Sequence, residues 1–497
     1  MDNLDLGFPL WIRLTHFFNI LFLSLLIRSG IEILGGHPML YGNDHSTPGS
    51  EWVRFTPKRM PAGQLWTAED EKQPYSPLVA LPGRDHLGLG RYWHFAALGG
   101  WIVTGALYVL LLFVSPQWQR LVPTSLDIFP KAAEAALAYF QLEAAPAGDP
   151  YNALQQLAYF GVIFVLAPLQ IATGLAMSPA LAGRFAWYPR LFGGRQAARS
   201  IHFLGLIAFV VFTVHHTALV VADGLTKGLS KIVLGISGEP TPAEGTVAMG
   251  IAILAIGSVV AIHIWATHGS LVDPRSMQNR LQRLVDPPQR LLLQNLVSRQ
   301  AWPPDAITPV PRPNGRPPHD PDWQQLASDG FRAFTLEVSG LVEQPLSLSL
   351  DDLRTLPAVS QTTKHVCIQG WSQVVSWKGL SLAVLLERAR PLPEARYLLF
   401  RTFDDKWEHA GDHGYFYGVV DLDIARHPQS ILAYDMNGER LPVPFGAPLR
   451  LRLESQLGYK MVKWVRSVEL IDDYRTIGEG KGGWREDVLY YSQIAPI

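Results

Sequence analysis

The chain has 497 residues, 48% of them hydrophobic and 17% charged, with 42 basic and 43 acidic side chains. It is too long for one ordinary domain and more apolar than a typical soluble protein, which calls for a membrane part. A near-zero net charge without long runs of one sign excludes nucleic acid as a partner, and a single cysteine excludes an intrachain disulfide framework and any four-cysteine zinc or iron–sulfur site.

Long apolar stretches run from Phe8 to Leu34, Tyr92 to Val114, Tyr151 to Met177, Ile201 to Ala222 and Val247 to Thr267. Crossing a hydrocarbon core of about 30 Å takes roughly 20 helical residues, so five transmembrane helices are expected. The first stretch is too long for the apolar core of a signal peptide and no small-residue cleavage site follows, so it reads as a retained anchor. From Leu271 to Gln300 the chain turns charged and leucine-rich, as in "MQNRLQRLVDPPQRLLLQNLVSRQ". That pattern suits an amphipathic segment on a membrane surface or against the next domain. "AWPPDAITPVPRPNGRPPHDP" then reads as a stiff, extended linker. Beyond it, "FTLEVSGLVEQPLSLSLDDLRTLP" gives strand, turn, strand and short helix, while "LRLRLES" and "KWVRSVELID" alternate like half-buried strands. The expected layout is a helical membrane domain over 1–270, an amphipathic and Pro-rich connection over 271–321, and a soluble α+β domain over 322–497. Outside the Pro-rich segment there is no repeat and no low-complexity tract.

Ionisable side chains in membrane helices are costly, so each is a functional candidate by default. The membrane half carries His16, His94, His202, His215, His216, His263 and His268. On a helix, residues 14 apart lie about 21 Å apart along the axis and differ by only about 40° in direction. His202 and His216 therefore share one face, near opposite membrane surfaces, whereas His215 turns away. With helices of alternating direction, His16 falls at the level of His216 and His94 at the level of His202. Two bis-histidine pairs result, the arrangement of two stacked haems. His263 and His268 find no such pairing and read as interfacial, with a role near a quinone the alternative.

"WIRLTHFFNILFLSLLIRSG", "GRYWHFAALGGWIVTGALYVL", "YNALQQLAYFGVIFVLAPLQIATGLAMSP" and "GGRQAARSIHFLGLIAFVVFTVHH" resemble the bacterial cytochrome b561 family over residues 8–225. The resemblance implies two b haems on His16, His94, His202 and His216, and electron exchange between a quinone pool and a catalytic unit.

Cys367 admits three readings: a nucleophile with His365, a buried structural residue, or a soft thiolate ligand to a redox metal. "CIQGWSQVVSWKGLSLAVLLE", "ILAYDMNGERLPVPFGAPLRLRLES" and "GYKMVKWVRSVEL" resemble the sulfite oxidase family of molybdopterin enzymes over residues 325–475, nearest the branch that holds the methionine sulfoxide reductase catalytic subunit. The resemblance makes Cys367 the protein's ligand to molybdenum and the residue that carries catalysis. It also implies pterin contacts from Thr402, Arg450, Met461, Val462 and Lys463. Arg450 and Lys463 suit the cofactor's phosphate, because charge-assisted hydrogen bonds are the strong ones. Phe445 departs from the family's polar residue before "GAP". Asn314 is a candidate for the upstream contact, and His409, His413, Tyr415 and Tyr417 are candidates for the pocket wall.

The expected function is thus a membrane-bound, quinone-linked molybdenum oxidoreductase that transfers an oxygen atom on a small substrate. Reduction of a sulfoxide or another S- or N-oxide comes first and sulfite-type oxidation second. The alternative is a non-catalytic haem electron-transfer or redox-sensing protein with a degenerate molybdopterin domain, which Phe445 favours. A multi-pass protein of the bacterial plasma membrane is implied. The count of basic loop residues puts the soluble domain on the cytoplasmic side, and the resemblance puts it on the periplasmic side.

Overall fold

The computed structural model describes residues 8–61, 64–141, 143, 151–293, 299–406, 414–454, 456–493 and 495. The chain forms two compact units, Met1–Ser29 with Trp93–Leu175 and Ile201–Leu271, and Gly30–Tyr92 with Ala176–Ser200 and Val272–Ile497.

Among the described residues, five helices are long and apolar enough to cross a membrane: α1 (Leu10–Gly36), α2 (Leu87–Val114), α3 (Ala153–Ala176), α4 (Arg195–Ala222) and α5 (Pro242–Val272). A helix is the natural form for such segments, since lipid offers backbone groups no partner outside the segment itself. The start of α3 is fixed by a capping box in which the Asn152 side chain takes the Gln155 N–H and Gln155 returns the bond. Over Gly161–Leu166 the same helix widens into a π-turn. Polar contacts join the helices of the first unit: Trp101 Nε1 donates to Asn19 Oδ1 at 2.7 Å and Trp93 Nε1 to Ser270 Oγ at 2.9 Å. The five spans coincide with the five apolar stretches of the sequence, with ends displaced by a few residues.

The second unit is built on two five-stranded sheets. A small ladder, β1 (Met39–Leu40) with β2 (Val53–Arg54), precedes them in the chain. The amphipathic segment is a helix, α6 (Pro274–Leu293), whose buried Met277, Leu281 and Val285 recur every four residues along one face. One sheet comprises β3 (Thr335–Gly340), β4 (Leu346–Ser349), β7 (Tyr397–Thr402), β8 (Tyr417–Asp421) and β12 (Val465–Ile471), in the order β4-β3-β12-β7-β8. The other runs β10-β9-β6-β5, from β5 (Ala358–Val366), β6 (Ser372–Ser381), β9 (Ile431–Met436) and β10 (Glu439–Arg440), with β11 (Arg450–Arg452) paired to β9. Trp323, Phe334, Leu336, Phe400, Leu451 and Trp464 belong to the shared core. This is the α+β architecture expected.

The proline-rich stretch is seated along β6. Thr308 N donates to Val374 O and its hydroxyl takes Val374 N–H, both at 2.9 Å, and Arg312 N donates to Gln373 Oε1 at 2.6 Å. Its lack of backbone donors leaves it to be held by side chains and by the few N–H groups between prolines. His409 and His413 lie outside the described residues.

Candidate functional site: two histidine pairs and a buried cysteine

In the first unit α4 supplies His202 and His216, α1 supplies His16 and α2 supplies His94. The rings of His16 and His216 lie 6.4 Å apart between centroids at 59°, and those of His94 and His202 have the same separation and angle. Two imidazoles bound to opposite sides of one metal, at about 2.0 to 2.1 Å per bond and about 1.1 Å more from nitrogen to ring centre, stand roughly 6.3 Å apart. Both pairs fit that span.

Three of the four Nδ1 atoms have hydroxyl partners. His94 Nδ1 is 3.1 Å from Ser29 Oγ, whose own proton goes to Leu25 O at 2.7 Å. His202 Nδ1 is 3.0 Å from Thr173 Oγ1, which donates to Leu169 O at 2.8 Å. His216 Nδ1 is 3.3 Å from the Tyr159 hydroxyl. At His94 and His202 a hydroxyl that gives its proton away can only accept from the ring, so the proton sits on Nδ1 and the lone pair on Nε2. His215 is exposed and bonds Val211 O at 2.9 Å, on the other side of α4 as its 13-residue offset requires.

His263 is tied to α1 by hydrogen bonds. Its Nε2 donates to Ser24 Oγ at 2.9 Å, its Nδ1 accepts from Arg28 Nη1 at 2.7 Å, and Arg28 Nη2 donates to Thr267 Oγ1 at 2.9 Å. Arg28 precedes Ser29, the partner of His94.

In the second unit Cys367 follows the last residue of β5 and opens a tight turn into β6. Its N–H donates to Trp371 O at 3.0 Å and its carbonyl accepts from Gly370 N at 3.1 Å. Gly370 has φ +119°, a conformation that glycine takes without strain. The thiol is 2% exposed, and burial pushes it up to about 11, against the pull of the Gln369 backbone N–H and the Arg485 guanidinium. A bound metal cation reverses that preference and takes the sulfur as thiolate.

Around the sulfur the structure gathers several expected residues. Asn314 Nδ2 is 4.0 Å from Sγ, and Lys463 Nζ donates to Asn314 O at 2.5 Å. Arg450 acts electrostatically on Cys367, stacks 5.2 Å from the Trp377 ring, and donates through Nη1 to Phe445 O at 3.1 Å. Phe445 thus contributes its carbonyl, while its side chain packs beside Val375 and Trp377. Gly446, with φ +119°, lets Arg450 and Lys463 close over it, each with a side-chain atom about as near as a Cβ there could bear. Burial lowers Arg450 to about 9. His365 is bonded to Arg452 instead of standing as a base to the thiol. Its Nδ1 accepts from Arg452 Nη1 at 2.7 Å, and burial with Arg452, Arg450 and Lys463 nearby keeps the ring neutral.

Two buried polar atoms here have no protein partner, Arg450 Nε and Asn314 Oδ1. A buried donor and acceptor left open beside a soft sulfur and two cations suit an anionic, polar cofactor, since such atoms are costly unless something meets them. The other expected contacts are placed differently. Met461 Sδ accepts from Arg452 Nη1 at 2.7 Å and Val462 O accepts from Leu451 N at 2.9 Å. Thr402 lies at the end of β7 in the other sheet, its hydroxyl donating to Phe416 O at 2.7 Å. Tyr415 bonds Asp320 Oδ2 at 2.8 Å, and Tyr417 bonds Asp487.

Residues 7–235 match the model of the prokaryotic cytochrome b561 family, and residues 324–476 match that of the oxidoreductase molybdopterin-binding domain. A cytochrome b561 domain is here joined to a molybdopterin-binding oxidoreductase domain. The cytochrome b561 domain makes this a multi-pass membrane protein that carries b haem, and the molybdopterin-binding domain brings a molybdenum cofactor. YedZ1 of Azospira oryzae, named for a protein-methionine-sulfoxide reductase subunit, is 34% identical over 158 residues, 32% of this chain and 54% of its own length. The protein-methionine-sulfoxide reductase catalytic subunit MsrP of Gluconobacter oxydans is 34% identical over 147 residues, 28% of this chain and 47% of its own. MsrP of Campylobacter jejuni is 33% identical over 174 residues, 33% of this chain and 57% of its own. The chain thus spans about half the length of these curated relatives. Among solved structures, the sulfane dehydrogenase SoxCD of Paracoccus pantotrophus aligns at 26% identity over 29% of this chain and 39% of that one, with a TM-score of 0.25.

Several residues of the molybdopterin-binding domain's surroundings carry no sequence signature. Arg195, Gln196, Glu69 and Arg485 all reach the Cys367 turn or its neighbours. One signal was available: Arg195 and Arg199 are cations at the start of α4, where the helix dipole disfavours them, so something else must hold them there.

Proposed function

We propose that this chain is a quinone-linked molybdenum oxidoreductase that reduces a small sulfoxide or related S- or N-oxide. Cys367 carries the reading: the chain's single thiol is buried, 4.0 Å from the amide of Asn314, whose Oδ1 is open, as is the Nε of Arg450. The named activity of the relatives, protein-methionine-sulfoxide reduction, supports a sulfoxide as the substrate class.

Cys367 holds the molybdenum, Arg450, Lys463 and Asn314 hold the pterin, and His16–His216 and His94–His202 hold one b haem each. When bound, molybdenum supplies the oxygen-atom transfer and the haems supply one-electron relay. The net change is sulfoxide plus two electrons and two protons giving sulfide and water. The electrons and a matching pair of protons come from a quinol, which becomes a quinone. Ser29, Thr173 and Tyr159 orient the imidazoles. The Arg28–His263–Ser24–Thr267 cluster, part-buried in the bundle and next to the His94 partner, supports a place for the quinol's ring oxygens, because polar groups at such depth are kept for a ligand or a partner.

The test is molybdenum and haem quantification on purified full-length protein, followed by addition of S- and N-oxides to the dithionite-reduced form. The reading predicts stoichiometric molybdenum, two haems per chain and haem reoxidation by a sulfoxide. Haem without molybdenum refutes it.

A further inference from the structure

The Cys367–Trp371 turn is gripped by residues from outside the segment that matches the molybdopterin-binding domain. Gly370 O accepts from Arg195 Nη1 at 2.6 Å and from Gln196 Nε2 at 2.9 Å. The same Gln196 nitrogen donates to Ser372 Oγ at 2.9 Å. Arg199 packs beneath Gly370, where a Cβ would meet its Nε at 3.1 Å. Ser372 N donates to Ser46 Oγ and Ser372 Oγ to Asp44 O, both at 3.2 Å, and Gln369 Nε2 donates to Glu69 Oε1 at 3.2 Å. Gln369, Gly370 and Ser372 are thus each held by a side chain or carbonyl from residues 44–69 or 195–199. All of these contacts lie within the second unit.

One of these grips also carries charge. Arg195 is 6% exposed, and its acceptors are the carbonyls of Met177 and Gly370. Asp44, whose Oδ1 accepts from Gln196 N at 3.0 Å, is the carboxylate that acts on it, whereas Arg485 lies 3.5 Å from Glu69 Oε1. The field of Arg195 acts on the Cys367 sulfur. A buried cation keeps most of its field, because little water screens it. Reduction adds negative charge to a metal centre, and a fixed cation nearby favours the reduced form. Groups that orient a metal's ligand are also the groups that tune the metal.

We propose that Arg195 is a positioning residue of the molybdenum site, a role that rests on the reading of Cys367 as the molybdenum ligand. With Gln196 it fixes the Cys367–Trp371 turn through the Gly370 carbonyl, and its charge raises the reduction potential of the metal that Cys367 holds. The cytochrome's own helix α4 thereby helps to set the properties of the catalytic metal.

The test uses full-length protein with three variants. Arg195→Gln removes the charge, Arg195→Lys keeps the charge but loses the fork, and Gln196→Leu removes two bonds at constant charge. The readouts are molybdenum content, the Mo(V) electron paramagnetic resonance spectrum and its midpoint potential in a redox titration, with the haem spectrum as the fold control. Arg195→Gln should alter the Mo(V) spectrum and shift the one-electron equilibrium tenfold toward the oxidised form, about 59 mV. Arg195→Lys should recover the potential without the spectrum, and Gln196→Leu should alter the spectrum without the potential. Loss of molybdenum from Arg195→Gln with the haem spectrum intact also supports the positioning role. An unchanged spectrum and potential in Arg195→Gln overturns the inference. If that variant yields no haem-loaded protein, an unchanged spectrum in Gln196→Leu and a lowered potential in Arg195→Lys overturn it instead. Absence of molybdenum from the wild type refutes the molybdenum reading itself; a wild-type signal that these variants leave untouched refutes only this inference.

Discussion

His202 and Cys367 reach their positions by different physics. The direction of His202 follows from helical periodicity: a residue 14 places along α4 must face nearly the same way, and one 13 places along must not. His216 and His215 obey this, the first beside His16 and the second exposed. Cys367 sits in a turn whose shape is decided by residues 175 and 300 positions away from those they bond. Order in the bundle is local and repeated, whereas order at the cysteine is long-range and particular. A change in the bundle should therefore remove one centre cleanly, and a change near the cysteine should spread.

The largest effect is expected at the cysteine itself. Cys367→Ser should cut S-oxide turnover by more than the roughly 10- to 100-fold typical of outer-shell changes, with the haem spectrum unaltered. Haem reduction followed by S-oxide addition measures both in one cuvette. Breaking the buried pair behind the site comes next. Arg452 Nη2 lies 3.1 Å from Glu454 Oε1 with both side chains at 0% exposure, so Arg452→Ala strands a buried carboxylate. A loss of about 3 to 5 kcal/mol is expected, read as a lower denaturant midpoint for the second unit, while the haem bands hold.

In the bundle, the proposal that each pair binds its own haem predicts that His216→Ala roughly halves haem per chain. The remaining haem should keep its bis-histidine spectrum. If both haems vanish, the two centres are not independent, and the contrast between local and long-range order fails.

A smaller, pH-dependent effect is expected at His37, 0% exposed and stacked on Tyr41, with Nδ1 3.2 Å from Glu71 Oε2. Burial, then the charges of Arg312 and Arg199, holds its pKa well below the ordinary value. Folded, the ring stays neutral; unfolded, it takes a proton below about pH 6.5, so the unfolded state binds more protons and stability falls as pH drops. The slope from this one group approaches about 1.4 kcal/mol per pH unit below that value. His37→Phe keeps the stacking and should flatten the dependence between pH 7 and 5, as measured by urea midpoints.

The contrast also explains what could be read from residues alone. The five spans and the histidine pairing were legible because membrane thickness and helix period turn sequence spacing directly into position. The molybdopterin-binding segment was legible through its motifs, with Cys367, Arg450 and Lys463 among the residues the fold brings together. The grip of Arg195, Gln196, Glu69 and Asp44 was not, since hydrogen bonds between distant segments leave no period or spacing. The contacts of His263 escape the sequence for a related reason: its partners Ser24 and Arg28 lie 239 and 235 residues away. The proline-rich stretch was read as a spacer because composition reports stiffness and is silent on what the segment lies against.

The central claim is that one chain holds a molybdenum centre on Cys367 and two haems on four histidines. Elemental molybdenum and pyridine-haemochrome haem, measured per chain on wild type, Cys367→Ser and His216→Ala, test it together. The account predicts molybdenum to haem ratios of about 1:2, 0:2 and 1:1. Molybdenum retained in Cys367→Ser, or haem unchanged in His216→Ala, would contradict it.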